Sequence, residues 1–192
     1  MGKAVSLAAG SVNNSASPSM PTTPQDLFAF LDRLGIRHST VTHPPLFTVA
    51  DSQNLRGQIA GGHTKNLFLK DKRGSLFLVV ADETAAIDLK QVHHPIGARR
   101  VSFGSAGLLL QHLGVLPGSV TPFAAINDAS GAVSVVLDAA MMAHETLNFH
   151  PLVNAMTTSI AAADLVTFLR ATGHEPRILE VSDAGTDGAP AH

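Results

Sequence analysis

Apolar and polar positions alternate along this chain in two distinct periods, and the change of period marks its elements. Thr23-Pro24 is a helix-capping residue followed by proline at the first helical position. Leu27, Phe30, Leu31 and Leu34 then recur at helical spacing until Gly35 stops the run. A short strand over 38–42 ends before Pro44-Pro45, and Thr48 to Arg56 predicts a short helix closed by Gly57. Asn66 to Lys70 and Ser75 to Ala81 are strand-like runs around Asp71-Lys72-Arg73-Gly74, which predicts a hairpin. Asp88 to His93 and Gly104 to Leu113 predict two further helices. Phe123 to Asn127 and Ala132 to Leu137 predict a second hairpin around 128–131. Strands near 146–149 and 156–159, an amphipathic helix over 161–172 and a last strand over 177–181 complete the pattern. Hairpins mixed with helices point to an α+β fold in a single domain.

Composition narrows this without naming an activity. The chain has 192 residues, 45% of them hydrophobic, 15% charged, and a formal charge of −2. That suits one folded domain, and any nucleic-acid contact must come from a local patch rather than a global field. No cysteine is present, which excludes disulfides, thiolate metal sites and a cysteine nucleophile. No apolar run reaches the roughly 18 residues of a membrane span. Residues 1–21 are small and polar and are expected to be a disordered leader or an expression remnant. Residues 22–181 are expected to fold, with 182–192 as a flexible tail.

Familiar catalytic motifs fail one by one. Gly57 to Lys65, GQIAGGHTK, has the glycine spacing of a phosphate loop, but His63 stands where that loop needs lysine. His144-Glu145 begins a zinc-protease pattern whose second histidine is missing, and His93-His94 cannot easily converge on one ion, so no metal and no cofactor is expected. No serine sits in a nucleophile elbow, so a hydrolase here would use water.

Three polar islands interrupt the apolar sequence instead. Lys65-Asn66 opens a strong strand, as a solvated strand end or as a cation and an amide at the lip of a cleft. Gly118-Ser119-Val120-Thr121-Pro122 is a plain connection or a loop that presents N–H groups and shapes a pocket wall. His150-Pro151, followed by Asn154, Thr157 and Thr158, is a capped strand end or a polar pocket floor that fixes a small amine or a water. Lys70, Lys72, Arg73, Arg99 and Arg100 are the basic candidates for an RNA backbone.

Taken in order, HTKNLFLKDKRGSLFLVVADE, GLLLQHLGVLPGSVTPFAAIND and LNFHPLVNAMTTSIAAADLVTFL resemble successive blocks of the YbaK/ProRS-associated editing family, nearest its ProX branch. The resemblance covers nearly all of 22–181. It implies a curved, barrel-like mixed sheet with surrounding helices, and hydrolysis of mischarged Ala-tRNA(Pro) by water without a metal. It assigns catalytic roles to Lys65, Asn66 and His150, and substrate binding to Gly118, Ser119, Val120, Thr121, Pro122, Asn154 and Thr158. The implied partners are the acceptor end of mischarged tRNA(Pro) and also prolyl-tRNA synthetase or an elongation factor, in the cytoplasm. Removal of cysteine or another small residue from the same tRNA, and a catalytically silent tRNA-binding module, are the alternative readings.

Overall fold

The hairpin read from the sequence is the spine of the molecule. The computed structural model describes residues 21–45 and 58–182. Strand β2 (Gly62–Asp71) and β3 (Leu76–Asp82) pair antiparallel from Thr64 opposite Asp82 to Lys70 opposite Leu76. Asp71 closes the turn, its carboxylate accepting from the backbone N–H of Arg73 at 2.8 Å and of Ser75 at 2.9 Å. Before the hairpin come helix α1 (Pro24–Arg33) and strand β1 (His38–Thr42). Thr23 and Asp26 cap each other at the start of α1, as the Thr-Pro signal requires. After the hairpin come β4 (Val101–Phe103), α2 (Ala106–Leu113), β5 (Val133–Asp138), β6 (Thr146–Phe149), β7 (Met156–Ala161), α3 (Ala162–Ala171) and β8 (Arg177–Leu179).

The strands form one mixed sheet in the order β1-β7-β6-β2-β3-β5-β8, with β4 also paired to β2. The sheet is curved in expectation but open in fact: β1 and β8 are its two ends and do not pair. Two expected elements are corrected. Phe123 to Asn127 is not a hairpin strand but part of a 3-10 helix, Pro122–Asn127. Thr121 caps it by accepting from the Phe123 N–H at 3.3 Å, and Pro122 presets the helical φ at the first position. Strand β5 therefore has no antiparallel neighbour there and pairs parallel with β3 and with β8. Asp88 to His93 folds as consecutive turns rather than a helix. Pro95, with no N–H to donate, stops any continuation. The expected helix over 48–56, the leader over 1–20 and most of the tail lie outside the described residues.

Two cores flank the sheet. The larger packs α1, α2, α3 and the 3-10 helix against one face, with Leu27, Phe68, Leu78, Phe123, Phe149 and Phe168 among its buried members. The smaller, around Leu69, Phe77, Val79, Val92, Ile96 and Val136, covers the other face of β2, β3 and β5. Phe68 belongs to the first and Leu69 to the second. Side chains alternate across a strand, so the even-numbered positions of β2 face the larger core and the odd-numbered ones the smaller.

Candidate active site

Strand β2 joins the two halves of the sheet through a very short seam. Only Gly62 and His63 pair with β6, parallel, opposite Leu147 and Asn148. Past that point β2 continues beside β3, while β6 ends at Phe149 and turns away. On the same edge β4 takes over only at Leu69. Between Thr64 and Phe68 no strand pairs with β2 on that edge. If the β2–β6 register ran on by two residues, Lys65 would stand opposite His150. The register thus brings the segments that carry Lys65 and His150 to the two sides of one gap in the strand pairing, a candidate cleft.

The same register fixes which groups face together. Leu147 and Phe149 belong to the larger core, so Asn148 and, by alternation, His150 lie on the other face of the sheet. His63 pairs with Asn148, and Lys65 shares its face. Asn148 also pairs with Ser159, which puts Thr157 on that face too. Asn66 and Thr158 point to the opposite side: Asn66 is on the Phe68 face of β2, and Thr158 pairs with Phe149. Asn66 still serves the opening through its backbone. The His63 carbonyl accepts from Glu83 N–H on the β3 side, so odd-numbered peptides turn to β3 and the Thr64 and Asn66 peptides turn to the cleft. The Asn66 side-chain oxygen is buried with no hydrogen-bond partner, a polar acceptor left over at this spot.

Each lip is held from behind. The Lys65 ammonium donates to the Ala85 carbonyl, and Thr64 Oγ1 donates to the Asn148 carbonyl at 2.9 Å. Asn148 in turn donates to the Ala60 carbonyl and accepts from Ser159. On the other lip, His150 Nδ1 lies 3.0 Å from the Met156 carbonyl. A carbonyl only accepts, so Nδ1 carries the proton and the neutral ring keeps Nε2 as an acceptor. Burial holds His150 below the usual imidazole range; the Met156 carbonyl opposes this and the neighbouring His43 adds to it. The residues after His150 turn sharply. Leu152 adopts φ +69°, the only positive φ outside glycine among the described residues, and its N–H donates to the His150 carbonyl. This costs about 1 kcal/mol and is held by burial of the Leu152 side chain in the larger core.

Gly118 to Pro122 is the third expected part of the site. Gly118 has φ +89°, a conformation for which glycine carries no penalty. A Cβ on Gly118 would sit 3.9 Å from the Asn154 side-chain nitrogen, so this loop and the turn after His150 meet. Ser119, Thr121 and Pro122 are buried, and Val120 packs on the larger core. Thr158 is buried and 2.8 Å from Thr40 Oγ1, on the core side of β7.

Sequence reading missed His43. Its ring lies 6.5 Å from that of His150, and its Nδ1 donates to the Pro44 carbonyl at 2.8 Å. Its Nε2 lies 2.9 Å from Thr157 Oγ1, and its backbone N–H donates to the Ala155 carbonyl. These two bonds bracket Met156, whose carbonyl holds His150. The signal was a repeated dipeptide. His43-Pro44 follows β1, and His150-Pro151 follows β6. Both strands run antiparallel to β7 between them, so both His-Pro pairs emerge at one end of the sheet.

Comparison with known proteins now has a site to attach to. The model of the aminoacyl-tRNA editing domain matches residues 43–168, which run from His43 past both other walls of the cleft. The prolyl-tRNA synthetase associated domain-containing protein 1 of Danio rerio is 37% identical over 157 residues, 81% of this chain and 85% of that relative. The prolyl-tRNA editing protein ProX of Acetoanaerobium sticklandii is 32% identical over 158 residues, 82% of this chain and 96% of that protein. A solved structure named as a candidate trans-editing enzyme for prolyl tRNA synthetase shares the fold. It has a TM-score of 0.63 and 17% identity, covering 86% of this chain and 99% of that one. A match of this extent shows the lineage: this chain is a member of the aminoacyl-tRNA editing domain family, of the prolyl-tRNA editing type.

Proposed function

We propose that this chain is a trans-editing deacylase that hydrolyses the ester of mischarged Ala-tRNA(Pro), with water as nucleophile and without a metal. The observation that supports the reading is the two-rung seam where β6 leaves β2, with Lys65 two residues further along β2 and His150, its Nδ1 on the Met156 carbonyl, just past β6. Among the described residues no group of three or more His, Asp or Glu side chains gathers as a ligand set.

An aminoacyl ester is already activated, so positioning and oxyanion stabilisation supply most of what hydrolysis needs. Water attacks the ester carbonyl carbon, the bond to the ribose oxygen breaks, and that oxygen takes a proton. Lys65 and the Asn66 peptide N–H, both at the opening, stabilise the charge that develops on the carbonyl oxygen. His150 Nε2 accepts a hydrogen bond from the water or from the adjacent 2′-hydroxyl that orients it. Gly118 to Pro122 and Asn154 wall the aminoacyl pocket, and Thr158 backs it from the core side. A pocket shaped for a methyl side chain rejects the proline ring by overpacking, which spares correctly charged tRNA. The partner is the acceptor end of tRNA(Pro), in the cytoplasm, with prolyl-tRNA synthetase or an elongation factor as a further partner. No helix among the described residues is long and apolar enough to cross a membrane.

The test is deacylation of 3′-labelled Ala-, Cys- and Pro-tRNA(Pro) by the wild-type chain. Loss of alanine alone supports the reading, and preferred loss of cysteine moves the substrate within the family. No hydrolysis of any of the three would end the enzyme claim. A second result concerns pH. The His150 pKa is lowered, so the ring is neutral at and above neutral pH and charges only below the ordinary value of 6.5. The kcat/KM for Ala-tRNA(Pro) should therefore hold flat through neutral pH and fall on an acid limb whose midpoint lies below 6.5. A rate unaffected by acid down to the unfolding limit would remove His150 from the role of acceptor.

A further inference from the structure

Pairing of β4 with β2 gathers two basic segments that lie apart in the chain. Lys70, Lys72 and Arg73 occupy the end of β2 and the hairpin turn, and Arg99 and Arg100 lead into β4. The register sets Lys70 opposite Ser102 and Asp71 opposite Val101. Five of the thirteen Lys and Arg residues are thus collected at one edge, all exposed. A shallow groove lined by Lys70, Asp71, Lys72, Arg100, Val101 and Ser102 runs between the segments.

The one acidic side chain in the groove wall is already used. Asp71 is buried, and its carboxylate accepts from the N–H groups of Arg73, Ser75 and, at 3.2 Å, Arg99. It ties the two segments together and turns away from the cationic side chains. Among the described residues no side-chain nitrogen of the five lies within 4.0 Å of a carboxylate oxygen. In a chain of net charge −2 this is a local positive site, not part of a general field.

We propose that this groove docks the phosphate backbone of the RNA whose 3′ end enters the cleft, an inference that rests on the editing reading above. Lys70 lies on β2 five residues beyond Lys65, about 17 Å along the strand, and on the same face as Asn66. A short single-stranded 3′ end spans that distance, so the ester reaches the cleft while the paired stem meets the cations. Cations without carboxylate partners along one groove match a polyanion, and the editing reading supplies one whose 3′ end enters the cleft.

The experiment uses the double substitution Lys72→Glu and Arg100→Glu, both at exposed positions outside the cleft. Deacylation of Ala-tRNA(Pro) and of an alanylated CCA trinucleotide is compared across a salt series, and binding of uncharged tRNA(Pro) is followed by fluorescence anisotropy. The expected loss of kcat/KM on tRNA at low salt exceeds the loss on the trinucleotide by about tenfold, and the salt slope flattens by about 2. Equal losses on both substrates, or an unchanged salt slope, would overturn the proposal. If the wild-type chain hydrolyses neither ester, the editing reading fails. The anisotropy still decides the groove: weaker binding by the variant supports it, and equal binding overturns it.

Discussion

Replacing Lys65 by alanine is expected to lower kcat/KM on mischarged tRNA(Pro) by at least about a hundred-fold, the scale for deleting one preorganised donor to a developing oxyanion. Lys65 is half-buried and points toward the face that carries His150, and its ammonium is held in place by the Ala85 carbonyl. The cation is therefore oriented before substrate arrives, and little reorganisation accompanies the reaction. Lys65→Arg should rescue only weakly, because a planar guanidinium cannot reproduce a compact point charge at that carbonyl. Stability should barely change, since no buried partner charge is stranded, and a urea midpoint close to wild type is the control. Activity of the alanine variant within twofold of wild type would take Lys65 out of the chemistry.

Phe123→Ala should produce the largest loss of stability of any change near the site, about 3 to 5 kcal/mol by urea unfolding. Phe123 is fully buried and meets Phe168 edge-on at 5.3 Å and Phe149 at 5.6 Å between ring centroids. Phe168 in turn meets Phe30 of α1 at 5.8 Å. This one ring thus joins the 3-10 helix, β6, α3 and, through Phe168, α1. Against a total stability of roughly 5 to 15 kcal/mol, the variant would stand close to the edge of folding. Phe123→Leu keeps most of the volume and should cost roughly half as much. A shift of less than 1 kcal/mol for the alanine variant would contradict the packing described. Phe123 follows Pro122 directly, so milder variants should also loosen the third wall of the cleft.

What the sequence disclosed follows the strength of its local signals. The β2–β3 hairpin was legible because a turn-forming tetrad sits between two alternating apolar runs, and α1 because Thr-Pro and Gly35 bound it. The 3-10 helix was not: Phe123 to Asn127 is short and apolar, and a run of that length satisfies the strand pattern equally well. Only Thr121 and Pro122 in front of it carried the helical information. Strand β4 was missed because three residues cannot display a period. At the site, the identities of Lys65, His150 and the Gly118 loop were readable as polar islands. How the segments that carry them lie in the sheet was not, since that depends on a parallel register between segments far apart in the chain. His43 escaped for the same reason: its partner Thr157 is adjacent only through the β1–β7 pairing.

The two-rung seam at Gly62 and His63 also bears on how the molecule acquires activity as it folds. The hairpin β2–β3 closes over a turn of a few residues, and β6–β7 over a short loop, so each can form early with little loop entropy. Bringing Gly62 against Leu147 closes a far longer loop and gains only two rungs for it. That closure joins the half of the sheet that carries Lys65 to the half that leads into His150, which the proposed reading sets to work together. On that reading, a chain with most of its secondary structure in place would remain inert toward esters until this pairing formed, so that recovery of catalysis would trail recovery of secondary structure.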